Sequence, residues 1–399
     1  MSSNNPILLA YSGGLDTSFC VPWLKETYHR PVVTVTVDTG GLDSASTDDL
    51  ARRSAALGAR EHVTVDGRAS FFDQVLRYLI FGNIRRGHLY PLCVGAERVI
   101  QAQTMARIAY ELGSDTVAHG CTAAGNDQVR FEVALRTLNP DLHILAPVRD
   151  NTWARAEQLA YLEKHGLPMP PGGGAYSINR GLWGVTIGGR ETLGSSESIP
   201  ESAWELSRGA FDTPRASERH VLSFVAGVPV ALDGEALDCI ALLEALETLG
   251  ASFGIGRGIH LGDTVLGTKG RVAFEAPAAE IVLTAHRELE KLTLSGWQQR
   301  LKDQVAANYG ELVHVGQHLD PACRDAEALL SSSQARVSGE VNLLLRPGQV
   351  FVEGVVSPHS LMAASRGAYG EAAGEWSASD AVGYSKLLSL PGMLHTRAA

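Results

Sequence analysis

The segment Ala10-Tyr11-Ser12-Gly13-Gly14-Leu15-Asp16-Thr17-Ser18 concentrates phosphate-binding chemistry in one short run. Two adjacent glycines let the backbone pass close to a bulky anion. Ser12, Thr17 and Ser18 add hydroxyl donors. The run follows the apolar Pro6-Ile7-Leu8-Leu9 and precedes a helical pattern from Phe19 to Tyr28. This predicts a strand-to-helix turn whose free N–H groups point at the same anion. No G-x-x-x-x-G-K-[ST] string occurs, so the turn is not a Walker loop. A bare Ser/Gly turn would serve as well to cap a helix, and the length of the string after a strand is what favours a phosphate cradle.

The elements that must position this turn follow from the hydrophobic pattern. Apolar runs at Pro6–Tyr11, Val32–Val37, His62–Val65, Thr116–Ala118 and Leu142–Leu145 alternate with helical patterns at Ala45–Leu57, Gly95–Leu112 and Asn126–Leu138. That rhythm predicts an α/β fold with a parallel sheet covered on both faces. Ligands then bind at the carboxyl ends of the strands. Asp38-Thr39-Gly40-Gly41 and His119-Gly120-Cys121-Thr122 each follow a strand and belong at that edge. Asn151-Thr152 caps a helix from Trp153 to His165 on this reading. The stretch Leu167-Pro168-Met169-Pro170-Pro171-Gly172-Gly173-Gly174 breaks the pattern.

Beyond the break, strands are expected at His220–Phe224, Val228–Leu232, Glu340–Leu345 and Val350–Val355. Long helical stretches are expected at Ala236–Leu249 and Ala278–Tyr309, with a last helix near Ser379–Leu388. The division is a nucleotide-binding domain at 1–167, an α+β synthetase domain at 168–359 and a C-terminal oligomerisation segment at 360–399.

Composition limits the functions available. The 399 residues carry a formal net charge of −10, which argues against a broad nucleic-acid surface. The opening Met1-Ser2-Ser3-Asn4-Asn5 lacks the basic and apolar regions of a signal peptide, and no apolar run suggests a membrane span. Cys20, Cys93, Cys121, Cys239 and Cys323 are scattered without metal-ligand spacing, as expected of reduced thiols in a cytoplasmic protein.

The pattern S-G-G-x-D-[ST] resembles the pyrophosphate loop of ATP pyrophosphatases. With it, His119-Gly120-Cys121-Thr122-Ala123-Ala124-Gly125-Asn126-Asp127-Gln128-Val129-Arg130-Phe131-Glu132 resembles argininosuccinate synthase. Tyr176-Ser177-Ile178-Asn179, Leu182-Trp183, Gly254-Ile255-Gly256-Arg257 and Val350–Ser360 extend the likeness over nearly the whole chain. The resemblance implies a HUP-like nucleotide domain and a ligase reaction. ATP adenylates the ureido oxygen of citrulline and pyrophosphate leaves. The α-amine of L-aspartate then attacks and AMP leaves.

The resemblance also implies sites. Ala10 through Ser18, Val37 and Gly120 would hold ATP, with Ser12 and Asp16 in direct roles and Asp16 on Mg²⁺. Thr122, Asn126 and Asp127 would bind aspartate, Asp127 taking the amine. Tyr90, Arg98, Asn126, Arg130, Ser177 and Thr186 would bind the carbonyl substrate. A homotetramer joined by the C-terminal segment is implied, with a lyase that splits fumarate from the product as a downstream partner.

Departures cluster at one end of the site. The family's G-T-S reads Cys93-Val94-Gly95, the glutamate that receives the amino-acid end of citrulline aligns with Gly262, and a nearby tyrosine aligns with Phe274. Ala124 replaces a lysine, and Gly41-Leu42-Asp43 replaces an acidic run. Removing a charge partner from an ammonium weakens its binding, so the expected substrate is a ureido, amide or carboxylate compound of a specialised pathway rather than plain citrulline. The alternatives are ordinary citrulline chemistry, with a misaligned loop around Gly258–Thr264, or a nucleotide-binding protein without catalysis. A tRNA thiolase or amidotransferase-linked synthetase lacks its cysteine pair, its basic face and its N-terminal nucleophile here.

Overall fold

Five parallel strands form the first sheet: β1 (Ile7–Ala10), β2 (Val32–Asp38), β3 (Glu61–Asp66), β4 (Thr116–His119) and β5 (His143–Leu145), in the order β3-β2-β1-β4-β5. This computed structural model describes residues 5–169 and 176–399. Pro170–Gly174 of the expected break, and Met1–Asn4, lie outside the described residues. β1 shows why the strands read as unbroken apolar runs. Ile7 and Leu9 enter a cluster with Phe19, Leu24 and Leu162, whereas Leu8 enters one with Val35, Met105 and Phe131 on the other face. A parallel sheet buried on both sides leaves no polar alternation.

The expected helix after Asn151-Thr152 starts later. Arg155–Lys164 is capped from Ala154, whose N–H donates to the Glu157 carboxylate at 2.8 Å. Thr152 has φ +52° and stands outside the helix.

The second part is built on two antiparallel sheets. One holds β6 (Ser177–Gly181), β7 (Gly184–Gly188), β11 (Arg257–Asp263) and β12 (Lys269–Glu275) in the order β11-β12-β7-β6. The other holds β8 (Glu218–Val225), β9 (Val228–Leu232), β10 (Glu235–Ala236), β13 (Gly339–Arg346) and β14 (Gln349–Val356) in the order β10-β9-β8-β13-β14. The helical stretch expected over Ala278–Tyr309 is two helices, Pro277–Thr293 and Gly296–His314. Leu294 closes the first, and Ser295 caps the second in a reciprocal pair with Gln298.

Packing crosses the parts. Phe71, Leu76, Leu79 and Ile80, from the chain between β3 and β4, are buried in one cluster with Leu246, Leu283, Tyr309 and Leu343. The last helix, Ala378–Arg397, buries no residue and exposes Leu387, Leu388, Met393 and Leu394. Among the described residues no helix is long and apolar enough to cross a membrane.

Candidate active site

The carboxyl ends of β1, β2 and β4 meet the β6–β7 and β11–β12 hairpins around a cavity of about 760 Å³. Gly40 makes this junction possible. At φ +109°, a Cβ there would stand 2.2 Å from the Leu182 nitrogen, and that nitrogen donates to the Thr39 carbonyl at 2.8 Å.

Ala10, Tyr11, Ser12, Gly14, Asp16 and Thr17 line the cavity, with Val37 and Gly120. The helix Leu15–Tyr28 begins at Gly14 without a side-chain cap, so its first N–H groups are open to an anion. The Ser12 and Thr17 hydroxyls lie 3.2 Å apart beside it. Gly13, Leu15 and Ser18 do not line the cavity and shape the turn instead. Leu15 is buried, and the Ser18 hydroxyl donates to the Gly13 carbonyl at 3.5 Å. Gly13 has φ +74°, and a Cβ on it would come within 2.4 Å of Leu50 Cδ2. Gly13→Ala therefore distorts the turn from both backbone and space. It is expected to raise KM for ATP about tenfold or more, the equivalent of ~1.4 kcal/mol of binding, while KM for aspartate holds. An unchanged KM for ATP would show that the turn does not seat the nucleotide.

Residues without a motif support this loop. Arg53 donates from Nη1 to the Gly13 carbonyl at 2.9 Å and pairs with Asp49 at 2.7 Å. Gln158 donates to Asp16 Oδ1 at 2.9 Å. Gly120 packs on the same turn: a Cβ there would stand 3.0 Å from Thr17 Cγ2 and 3.1 Å from the Thr17 nitrogen. His119 is buried, its Nδ1 accepts from the Cys121 N–H at 3.3 Å, and its Nε2 faces Glu132 at 3.5 Å. It therefore holds the turn after β4.

Thr122, Asn126 and Asp127 all line the cavity. Asn126 precedes the helix Asp127–Leu138, yet its side chain does not cap it and instead accepts the Val265 N–H at 2.9 Å, tying this segment to the β11–β12 turn. Both Asp127 oxygens are engaged, Oδ2 by Arg98 at 2.9 Å and Oδ1 by Arg130 at 2.8 Å. Burial favours the neutral acid, but the two guanidiniums prevail and hold the Asp127 carboxyl well below the usual range. Arg130 also donates to the His314 carbonyl at 2.7 Å, and Arg98 pairs with Glu97 at 3.0 Å. Burial and the neighbouring Arg130 push His314 down to about 3. Gly95 leaves room for Arg130: a Cβ there would lie 2.6 Å from Nη1.

Tyr90, Arg98, Arg130, Ser177, Thr186 and Gly262 line the far end of the cavity; Phe274 does not. Phe274 is buried, and a Cβ on Gly258 would stand 2.4 Å from its Cζ, the atom that would carry a tyrosine hydroxyl. Gly258 to Asp263 is regular strand, and Asp263 pairs with Lys269 at 2.5 Å rather than replacing a carboxylate at 262. Glu97, Gln158, Arg53, His314, Arg86 and His260 are site residues that sequence reasoning missed. The acidic Glu97 beside Arg98 was the one visible hint. Among the described residues no group of three His, Cys, Asp or Glu side chains could hold a metal ion.

Comparison with known proteins agrees with this architecture. A family model described as "Arginosuccinate synthase N-terminal HUP domain" matches residues 6–168, and one described as "Arginosuccinate synthase C-terminal domain" matches 176–395. The chain is 42% identical to the argininosuccinate synthase of Xanthomonas campestris pv. campestris, covering 99% of both chains. It is 37% identical to that of Symbiobacterium thermophilum over 92% of this chain and 91% of the relative. It is 36% identical to that of Methanocaldococcus jannaschii over 89% of each. These likenesses favour citrulline chemistry and lend no support to a specialised substrate. Matched in both parts and aligned with its relatives from end to end, the chain belongs to the argininosuccinate synthase family.

Proposed function

We propose that this enzyme, a C–N ligase of a family that forms AMP and pyrophosphate, joins citrulline to L-aspartate. The reading rests on one continuous cavity with the open helix N-terminus at one end and Tyr90, Arg130, Ser177 and Thr186 at the other. A urea carbon is a poor electrophile until its oxygen becomes a leaving group. The ureido oxygen attacks the α-phosphorus, and pyrophosphate departs into the Ser12–Thr17 turn. The free aspartate amine then attacks the ureido carbon, the C–O bond breaks, and AMP leaves with that oxygen. Holding the adenylated intermediate beside the amine makes the second step effectively unimolecular.

Positioning and charge carry most of this rate. Ser12 and Thr17 bind phosphate oxygens. Asp16, steadied by Gln158 at 2.9 Å, would hold an Mg²⁺, which would offset charge on the phosphates. Thr122 and Asn126 orient aspartate. Asp127 acts as a positioning residue that fixes Arg98 and Arg130 against the substrates. The test is stoichiometry: one pyrophosphate, one AMP and one argininosuccinate per turnover, with no pyrophosphate release when citrulline is omitted and at most one pyrophosphate per active site when aspartate is omitted. Repeated release that ignores aspartate would refute the reading.

The division at 1–167, 168–359 and 360–399 belongs to the same proposal, as does a cytoplasmic setting upstream of a lyase. So does a homotetramer in which the helix Ala378–Arg397 covers its exposed Leu387, Leu388, Met393 and Leu394 on other subunits. Light scattering is expected to give a particle of four chains, and deletion of residues 378–399 to give smaller ones. A full-length monomer would contradict this arrangement.

A further inference from the structure

Asn126 lines the cavity, and one backbone atom outside the cavity decides which way its amide faces. The residue is itself helical, with φ −69° and ψ −30°, and its side chain makes no cap. Instead the Val265 N–H reaches Asn126 Oδ1 at 2.9 Å. A backbone N–H only donates, so the amide oxygen must face Val265 and the NH2 must face away from it. Nδ2 makes no hydrogen bond among the described residues. Val265 does not line the cavity.

The hairpin holds Val265 in place without using its N–H. β11 and β12 pair regularly from Arg257 opposite Glu275 to Asp263 opposite Lys269. At the tip, the Gly267 N–H donates to the Thr264 carbonyl at 3.0 Å, and the Thr264 N–H donates to the Thr268 carbonyl at 2.7 Å. Arg86 braces the base of the turn, donating from Nη1 to the Asp263 carbonyl at 2.9 Å. The Val265 N–H is left for Asn126 alone.

We propose that Val265 is a positioning residue whose backbone N–H locks the Asn126 amide, so that Nδ2 is presented to the cavity as a donor for a substrate carboxylate. The inference rests on the proposed reaction, in which citrulline and L-aspartate each bring a carboxylate into this cavity. A guanidinium donates whichever edge it shows, but an amide carries an acceptor beside its donor and has to be oriented. Without the lock the amide can rotate by half a turn, and its oxygen then faces the carboxylate as a second acceptor.

Val265→Pro deletes the N–H and little else. Val265 is the second residue of the turn closed by Gly267, where proline is favoured, and it does not have a positive φ. Val265→Ala keeps the N–H and is the control. In pyrophosphate release with ATP, citrulline and L-aspartate, Val265→Pro is expected to raise KM for one or both amino acids about tenfold, while KM for ATP holds and Val265→Ala behaves as wild type. The KM that rises identifies whose carboxylate meets Nδ2. Unchanged KM values in Val265→Pro, an equal rise in all three, or an equal effect of Val265→Ala would each overturn the proposal. Asn126→Asp keeps the acceptor for Val265 and sets an anionic oxygen where Nδ2 stood. It is expected to lower kcat/KM for the same amino acid about a hundredfold, and an unchanged value would overturn the proposal. Calorimetry with α,β-methylene-ATP present separates this inference from the reaction it rests on. Weaker binding of citrulline or L-aspartate by Val265→Pro, with no turnover by the wild type, would refute the proposed reaction and uphold the lock. Equal binding by wild type and Val265→Pro would overturn the lock and leave the reaction standing. A wild type that neither turns over nor binds either amino acid would overturn both.

Discussion

Asp127→Asn is expected to lower kcat/KM for citrulline- and aspartate-dependent pyrophosphate release by about two orders of magnitude or more. The substitution keeps size and removes charge. It leaves Arg98 and Arg130 bracketing a neutral amide, where each had a carboxylate oxygen at 2.9 and 2.8 Å. Taking away the partner of a buried charge costs about 3–5 kcal/mol. Here part of that cost appears as guanidiniums that move off the substrates. Arg98 keeps Glu97 and Arg130 keeps the His314 carbonyl, so the fold should survive and the loss should be read in activity. KM for citrulline and for aspartate should rise, while KM for ATP should hold. Asp127→Glu should recover part of the rate. A loss below tenfold, or an equal rise in all three KM values, would remove Asp127 from its positioning role.

The second large effect lies far from the cavity. Lys302 and Glu290 are fully buried and meet at 2.7 Å. Lys302 also donates to the Phe81 carbonyl at 2.9 Å, and Glu290 accepts from Asn83 at 2.6 Å and Gln334 at 2.8 Å. His286 closes the network through Asn83 and Gln334. Lys302 and Glu290 each hold their full set of partners here, which makes removal of one charge costly. Lys302→Met is expected to destabilise the enzyme by about 3–5 kcal/mol. Denaturant unfolding followed by tryptophan fluorescence would measure it. The double variant Lys302→Met with Glu290→Gln should recover much of the loss, because glutamine keeps acceptor and donor capacity without a stranded charge. A double variant no more stable than the single one would show that packing, and not charge, holds this region.

How much of this was legible in the sequence depended on whether the signal was local. β1 and the turn after it could be read because an apolar run, two glycines and an open helix start lie within one short segment. The edge of the sheet followed from topology, and Asp38–Gly41 and His119–Thr122 do meet the phosphate loop there. The break at Ser295 carried a readable capping signal, Ser295 followed by Gln298, which the continuous apolar periodicity around it masked. Gln158, Arg53, His260 and Arg86 gave no signal, since their roles depend on contacts between distant segments. Asn126 and Asp127 were read as aspartate ligands; the contacts that also hold them, Asn126 to the Val265 N–H and Asp127 between Arg98 and Arg130, come from distant segments and left no local signal. The sequence placed Gly262 and Phe274 side by side as lost contacts, and only the strand register separates them: Gly262 faces the cavity with His260, whereas Phe274 lies across Gly258.

Citrulline labelled with ¹⁸O on its ureido oxygen, supplied with ATP and L-aspartate, tests the central claim most directly. If the ureido oxygen is adenylated and leaves with the nucleotide, mass spectrometry will find one ¹⁸O in each AMP and none in pyrophosphate. Unlabelled AMP accompanying product would contradict adenylation at that oxygen, and with it the assignment of the cavity's two ends to pyrophosphate and ureido group.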